Sequence, residues 1–119
     1  MMHNAIVTGA ARGIGRAIAE ALLQMPMNVC LVDRSSDDLS RTADQLRAKC
    51  IKMSSTARVV ARDGDICKPD DVAAAVRSAT AQLGSIDLLV NNAGTFSTIG
   101  PTWETDPERW FTDVKTNLY

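Results

Sequence analysis

The sequence predicts an α/β protein built on a doubly wound parallel sheet. Three observations predict it. Apolar runs too short to be helices alternate strictly with segments of helical periodicity. A glycine-rich turn joins the first run to the first periodic segment, and an aspartate closes the second run. Strict strand–helix alternation implies right-handed crossovers and a sheet covered on both faces.

Each element follows from its residues. Ala5-Ile6-Val7, ending in Thr8-Gly9, suits a buried strand. From Gly13 onward Ile14, Ile18, Ala21 and Leu22 recur at helical spacing, with Arg16 and Glu20 between them. Val29-Cys30-Leu31-Val32 is a second strand, closed by Asp33. Ser36 can cap a helix whose inner face is Leu39, Ala43, Leu46 and Cys50. Ala57-Arg58-Val59-Val60-Ala61 forms a third strand, broken by Asp63-Gly64-Asp65. Pro69 suits the first turn of the next helix, and Asp70 and Asp71 complement its positive end. Val72, Val76, Ala79 and Leu83 share a face of that helix, and Gly84 stops it. Ile86–Val90 is a fourth strand running into Asn91-Asn92-Ala93-Gly94. Asp106-Pro107-Glu108 then starts a helix with Trp110, Val114 and Leu118 on one face and Phe111 alongside. No internal repeat, low-complexity tract or linker interrupts residues 1–119, which read as one domain.

Composition narrows the function. A formal net charge of −1 argues against a nucleic-acid groove or an anionic membrane surface as the main partner. Cys30, Cys50 and Cys67 are odd in number, unpaired in spacing and accompanied by His3 alone, so neither a metal site nor a disulfide framework is expected. Reduced thiols, a start without signal-peptide character and no bilayer-length apolar run point to the cytoplasm.

The chemistry concentrates in Thr8-Gly9-Ala10-Ala11-Arg12-Gly13-Ile14-Gly15, between the first strand and the first helix. There a ligand phosphate can meet unpaired backbone N–H groups and the positive end of the helix dipole. Gly9 allows the tight turn, Gly13 lets the backbone approach a pyrophosphate, and Gly15 lets helix and strand pack closely. Asp33 follows Gly13 by 20 residues, the offset of a carboxylate that accepts hydrogen bonds from an adenosine ribose. Taken singly, the loop is also a plain βα turn and Asp33 a strand-end turn residue.

With these residues in place the sequence resembles the classical short-chain dehydrogenase/reductase family. The resemblance rests on Thr8-Gly9-x-x-x-Gly13-Ile14-Gly15, Asp33, Asp65-Ile66 after the third strand, Asn91-Asn92-Ala93-Gly94 after the fourth, and Asn117 on the following helix. It implies a Rossmann-type sheet of strand order 3-2-1-4, here ending after the fourth strand and its helix, with Ile86–Val90 as an exposed apolar edge. It implies that Gly9, Arg12, Gly13, Ile14 and Gly15 line the pyrophosphate of a nicotinamide dinucleotide and that Asp33 holds the ribose. Asp65 and Ile66 would contact the adenine; Asn92, Ala93 and Gly94 would border the central and nicotinamide-side portion. Asp63-Gly64-Asp65 has a second reading as a turn, and Asn91–Gly94 as a brace for the sheet edge.

The coenzyme choice is drawn two ways. Asp33 repels a 2′-phosphate and favours NAD, whereas Arg12 and Arg34 are bases that NADP-preferring relatives use around that phosphate. A carboxylate within a few Å of a phosphate costs on the order of several kcal/mol unless neutralised. NAD is therefore expected, with NADP as the alternative.

The family's reaction is hydride transfer between nicotinamide and an alcohol or carbonyl carbon, using a serine and a Y-x-x-x-K pair placed around and after a fifth strand. Asn117 is the one member of the catalytic set matched here. Tyr119 has no lysine beyond it and does not fit that role. These residues are expected to form the coenzyme-binding front half of an oxidoreductase, inactive alone and a homo-oligomer when complete. The substrate is not legible from Phe96–Trp103. The alternative is a non-catalytic NAD(H)-binding or interaction module; a doubly wound domain of flavodoxin type explains the alternation but not the motifs together. Relatives commonly carry a glycine where this chain has Met25-Pro26-Met27, so an altered helix end is expected there.

Overall fold

A computed structural model describes residues 2–94 and 102–118. Residues 95–101, and Tyr119 with the expectation attached to it, lie outside the described residues. The strands are β1 (Asn4–Thr8), β2 (Asn28–Asp33), β3 (Val59–Asp63) and β4 (Leu88–Val90). The helices are α1 (Gly13–Gln24), α2 (Ser36–Lys52), α3 (Pro69–Leu83) and α4 (Pro107–Leu118), with a 3₁₀ turn at Thr102–Glu104.

All strand pairs are parallel, in the order β3-β2-β1-β4. Flavodoxin-type order would put β3 beside β1; here β4 takes that place, with Ala5 opposite Leu88 and Val7 opposite Val90. The sheet therefore changes direction of growth between β1 and β4, and a crevice opens at the carboxyl ends of the strands there.

Alternation along the strands sends side chains to two apolar layers. Ala5, Val7, Val29 and Leu31 pack beneath α1 and α2 with Leu22, Leu23, Leu39 and Leu46. Ile6, Cys30, Val32 and Val60 face α3 through Ala75 and Ala79. The predicted inner face of α2 is buried throughout.

Several boundaries and faces differ from expectation. β3 begins at Val59, and β4 holds only Leu88–Val90; just before it the Asp87 carboxylate accepts the Asn4 N–H at 2.9 Å and the Asp87 N–H donates to Asn4 O at 2.8 Å. Ser35, not Ser36, is the cap residue of α2. In α1, Ile14 is 73% exposed and Ala21 is exposed, while Gly15, Ala19, Leu22 and Leu23 are buried. Gly15 is the contact point with the strand-end turn, and that contact rotates Ile14 outward. In α3 the small residues Ala75 and Ala79 approach the sheet, leaving Val72 and Val76 at 42% and 45% exposure. In α4 Asp113 and Thr116 are buried, Trp110 and Phe111 are exposed and Val114 is half-buried, so Trp110 departs from the predicted face. Among the described residues β4 has a strand neighbour on one side, and Leu88 and Leu89 are exposed.

The two helix ends show what proline changes. After α2, Ser55 N–H reaches Cys50 O at 2.9 Å and Ser54 N–H reaches Ile51 O at 3.1 Å, with Ser54 at φ +52°. That is a complete Schellman closure. After α1 the outer bond survives, Met27 N–H to Leu22 O at 2.9 Å. Pro26 has no N–H for the inner one and no left-handed φ to offer.

At the opposite end of the sheet a polar seam ties four segments together. Asn4 Nδ2 donates to Leu83 O and Ser85 O at 2.8 and 2.9 Å. Asn28 Nδ2 donates to Asn4 Oδ1 at 2.9 Å, and Asn28 Oδ1 accepts the Arg58 N–H at 2.8 Å. No described helix is long and apolar enough to cross a membrane.

Candidate functional site

The crevice at the strand ends has a volume of about 790 Å³, within the range of small-molecule and cofactor sites. The turn after β1 contributes Gly9, Arg12, Gly13 and Ile14; the end of β2 contributes Val32, Asp33 and Arg34. Gly64, Asp65 and Ile66 follow β3, Asn92, Ala93 and Gly94 follow β4, and Thr116 and Asn117 come from α4. Every sequence-predicted site residue lines it except Gly15, which lies behind the loop.

The three glycines do different work. Gly9 has φ +63°, and a Cβ on it would stand 2.8 Å from Ala93 Cα. A Cβ on Gly15 would collide with the Gly9 carbonyl and lie 2.5 Å from Asn92 Nδ2. These two glycines let the chain segments cross. Gly13 has φ +62° and no atom within 4 Å of the position a Cβ would take. It holds open the space in front of the helix.

The start of α1 is electrostatically bare. Arg12 at its N-cap makes no side-chain capping bond, and no acid occupies its first turn. α2 and α3 carry Asp37–Asp38 and Asp70–Asp71 at the corresponding place. The positive end of α1 is therefore left for an external anion. Further back, the loop is spoken for: Ala10 N–H donates to Val32 O and Ala11 N–H to Asp33 Oδ2, at 3.2 and 3.1 Å.

Asp33 is held on both oxygens, Oδ2 by Ala11 N–H and Oδ1 by Ser35 N–H, each at 3.1 Å. Its carbonyl accepts Gly64 N–H at 3.0 Å, tying in the loop after β3. The turn reading and the ligand reading are thus compatible, since each carboxylate oxygen keeps a second lone pair for a hydroxyl. Asp65 folds back on its own turn: Oδ1 accepts Cys67 N–H and its N–H donates to Asp71 Oδ2, both at 2.9 Å. The exposed Arg12 guanidinium lies 4.0 Å from Asp38 Oδ2. Arg34 is exposed and makes no ion pair among the described residues.

Asn92 braces the loop from β4. Its Nδ2 donates to Thr8 O and Gly9 O, both at 3.2 Å. Thr8 Oγ1 accepts Asn92 N–H and Ala93 N–H at 3.1 and 3.0 Å and donates to Val90 O at 3.3 Å. The sheet-bracing reading of the Asn-Asn-Ala-Gly run thus holds for the side chain of Asn92, and both donors of its amide face inward. Sequence reasoning missed Thr8 as the hub of this network; its signal was a hydroxyl at a strand end beside the turn glycine. It also missed Asp38, and the Cys67 Sγ–Thr116 Oγ1 contact at 3.4 Å that joins α4 to the loop before α3. Asn117 stands close to Gly94, whose added Cβ would lie 3.1 Å from Asn117 Oδ1.

The arrangement offers an anion seat, a fixed carboxylate beside it and an apolar continuation. The adjoining recess of about 440 Å³ is walled by Ile6, Val72, Val76 and Leu89, with Asn117 shared between the two spaces. These residues fit a dinucleotide: a cradle that a Cβ would fill, a bare helix end and a hydroxyl acceptor.

Comparison with known proteins agrees. The family model described as short chain dehydrogenase matches residues 3–119. A 1-deoxy-11-beta-hydroxypentalenate dehydrogenase from Streptomyces exfoliatus is 38% identical over 106 residues, covering 88% of this chain and 36% of the relative. A short chain dehydrogenase/reductase from Burkholderia phymatum in complex with NAD superposes with a TM-score of 0.88 at 32% identity, over 98% of this chain and 39% of that one. L-sorbose reductase from Gluconobacter frateurii, complexed with NADPH and L-sorbose, gives 0.85 at 33% identity, over 98% and 42%. The chain thus spans well under half the length of these relatives.

Proposed function

Because the chain belongs to the short-chain dehydrogenase family, we propose that its crevice binds a nicotinamide dinucleotide, NAD in preference to NADP, as the coenzyme half of an oxidoreductase. The bound coenzyme would supply hydride exchange with an alcohol or carbonyl carbon. The chain's own part is binding and orientation. N–H groups at the start of α1 receive the diphosphate, and Gly9, Gly13 and Gly15 keep that approach clear. Arg12 and Ile14 flank it. Asp33 accepts the ribose hydroxyls, with Arg34 beside it. Asp65 and Ile66 border the base, and Ala93 and Gly94 the opposite half, with Asn92 acting through its hold on the Thr8 and Gly9 carbonyls. Asn117 belongs to the proton-relay side of the site.

The observation that carries this reading is the bare N-terminus of α1 facing open space at Gly13, beside a carboxylate fixed at both oxygens. An alcohol or carbonyl substrate and a homo-oligomeric assembly belong to the same proposal for the complete enzyme. Residues 1–119 alone are expected to bind coenzyme without turning over substrate. Titration of the chain with NADH, read by nicotinamide fluorescence and calorimetry, tests this. Saturable one-site binding supports it; no heat and no fluorescence change would overturn it.

A further inference from the structure

Arg12 lines the crevice with Asp33 and Asp65, and a further carboxylate outside that lining stands within reach of its guanidinium. It is Asp38, in the first turn of α2: Asp38 Oδ2 lies 4.0 Å from Arg12 Nη1 and accepts the Ser35 hydroxyl at 3.0 Å, while Oδ1 accepts from Arg41 Nη1 at 3.2 Å. Asp38 is therefore anchored, and Arg12, with its side chain 83% exposed, makes no other ion pair among the described residues. Ser35 also links Asp38 to Asp33, since its N–H donates to Asp33 Oδ1 and its hydroxyl to Asp38.

We propose that Asp38 is a specificity-positioning residue that draws Arg12 onto α2 and so disfavours a coenzyme bearing a 2′-phosphate. The inference rests on the coenzyme reading above. A ribose phosphate beside Asp33 needs a cation to neutralise it, and the cations lining the crevice are Arg12 and Arg34. To serve, Arg12 must leave Asp38, and the Asp38 charge then remains within one arginine length of the phosphate. That distance is inside the screening length at physiological salt, about 8 Å. A coenzyme with a free 2′-hydroxyl makes no such demand, so Asp38 is silent toward it. The pair is solvent-exposed, so it contributes little to folding; its consequence is in selection.

The test is Asp38→Asn, which keeps an acceptor for Ser35 and removes the charge. Wild type, Asp38→Asn, Arg12→Gln and the double variant of the full chain are titrated with NADH and with NADPH at low and high salt. Asp38→Asn is expected to tighten NADPH by about fivefold, the worth of one unit charge at a few Å in water, with NADH changed less than twofold. The gain should shrink at high salt and largely vanish in the Arg12→Gln background. An unchanged NADPH-to-NADH ratio, or an equal gain without Arg12, overturns the role of Asp38 while NADH binding by the wild type keeps the coenzyme reading. Failure of both coenzymes to bind wild type overturns both. Circular dichroism checks the fold of each variant, and Asp38→Ser repeats the measurement if the asparagine variant is unfolded.

Discussion

Two alanine substitutions two residues apart should fail in different ways. Gly13→Ala adds a methyl where no atom lies within 4 Å, at φ +62°. Its folding cost is the left-handed backbone alone, about 1–2 kcal/mol, or about 4–8 °C in Tm for a domain of this size. The methyl stands in the space through which a diphosphate reaches the start of α1. Losing one charge-assisted N–H contact costs about 1.5–3 kcal/mol, about a 10–100-fold weaker Kd. Gly15→Ala is the mirror case. Its methyl collides with the Gly9 carbonyl and with Asn92 Nδ2, so the loop or α1 must move. Overpacking of this kind costs about 1–3 kcal/mol, and displacing Asn92 from two backbone carbonyls adds to it. Thermal melts and NADH titrations of both variants separate the effects: Gly13→Ala loses more affinity than stability, and Gly15→Ala is the less stable of the two. A Gly13→Ala protein that binds NADH like wild type would refute the assignment of the diphosphate to this turn.

Ser54→Gly should stabilise the chain by about 1 kcal/mol, because an exposed serine holds the left-handed closing position of α2 at φ +52°; a Tm rise checks it. Asn28→Leu should cost about 2–4 kcal/mol by denaturant unfolding, since it strands both Asn4 Oδ1 and the Arg58 N–H in the polar seam. Burial pushes the Cys30 thiol up from 9.0 to about 11. The unfolded chain then releases that proton first, so stability is whole below about pH 9 and falls by up to about 1.4 kcal/mol per unit as pH rises toward 11; the difference in urea midpoint between wild type and Cys30→Ala should narrow over that window.

Strand and helix identity and chain order were legible, as were the glycine turn and Asp33 at the crevice, whereas Val32, Gly64 and Thr116 in its lining were not singled out, and the reasons are local. Three valine-, isoleucine- or leucine-rich runs bounded by turn residues have no good alternative as helices, and Gly9, Gly13 and Gly15 mark where backbone must pass close to backbone. Faces were less legible where size outweighs hydrophobicity. Periodicity assigned Val72 and Val76 inward, but α3 approaches the sheet through Ala75 and Ala79, whose small side chains permit closer contact. The same holds for α1, where Gly15 sets the rotation and Ile14 turns out. α4 turns Trp110 and Phe111 outward while Asp113 and Thr116 are buried, Thr116 against Cys67, and no hydropathy pattern announces that. The Asn4–Asn28 seam was invisible for another reason: two asparagines 24 residues apart become neighbours only once the β1–β2 register is known.

Thr8 and Asn92 carry the larger consequence. The turn that would receive the diphosphate follows β1, yet it is shaped from β4, a strand of three residues. Asn92 Nδ2 holds the Thr8 and Gly9 carbonyls, and Thr8 Oγ1 holds the N–H groups of Asn92 and Ala93. A ligand that needs the turn in this shape must therefore stabilise the docking of β4, and β4 must be docked for the ligand to bind. With coenzyme at a hundred times its Kd the linkage is worth about 2.7 kcal/mol, which slows exchange through that opening by about a hundredfold. Hydrogen exchange at the Asn92 and Ala93 amides should slow by up to this factor on adding NADH, while amides of Lys49 and Cys50, far along α2, change little. Protection confined to the start of α1, with Asn92 and Ala93 exchanging as before, would mean that the turn keeps its shape without β4, and the coupling argued from Thr8 would be wrong.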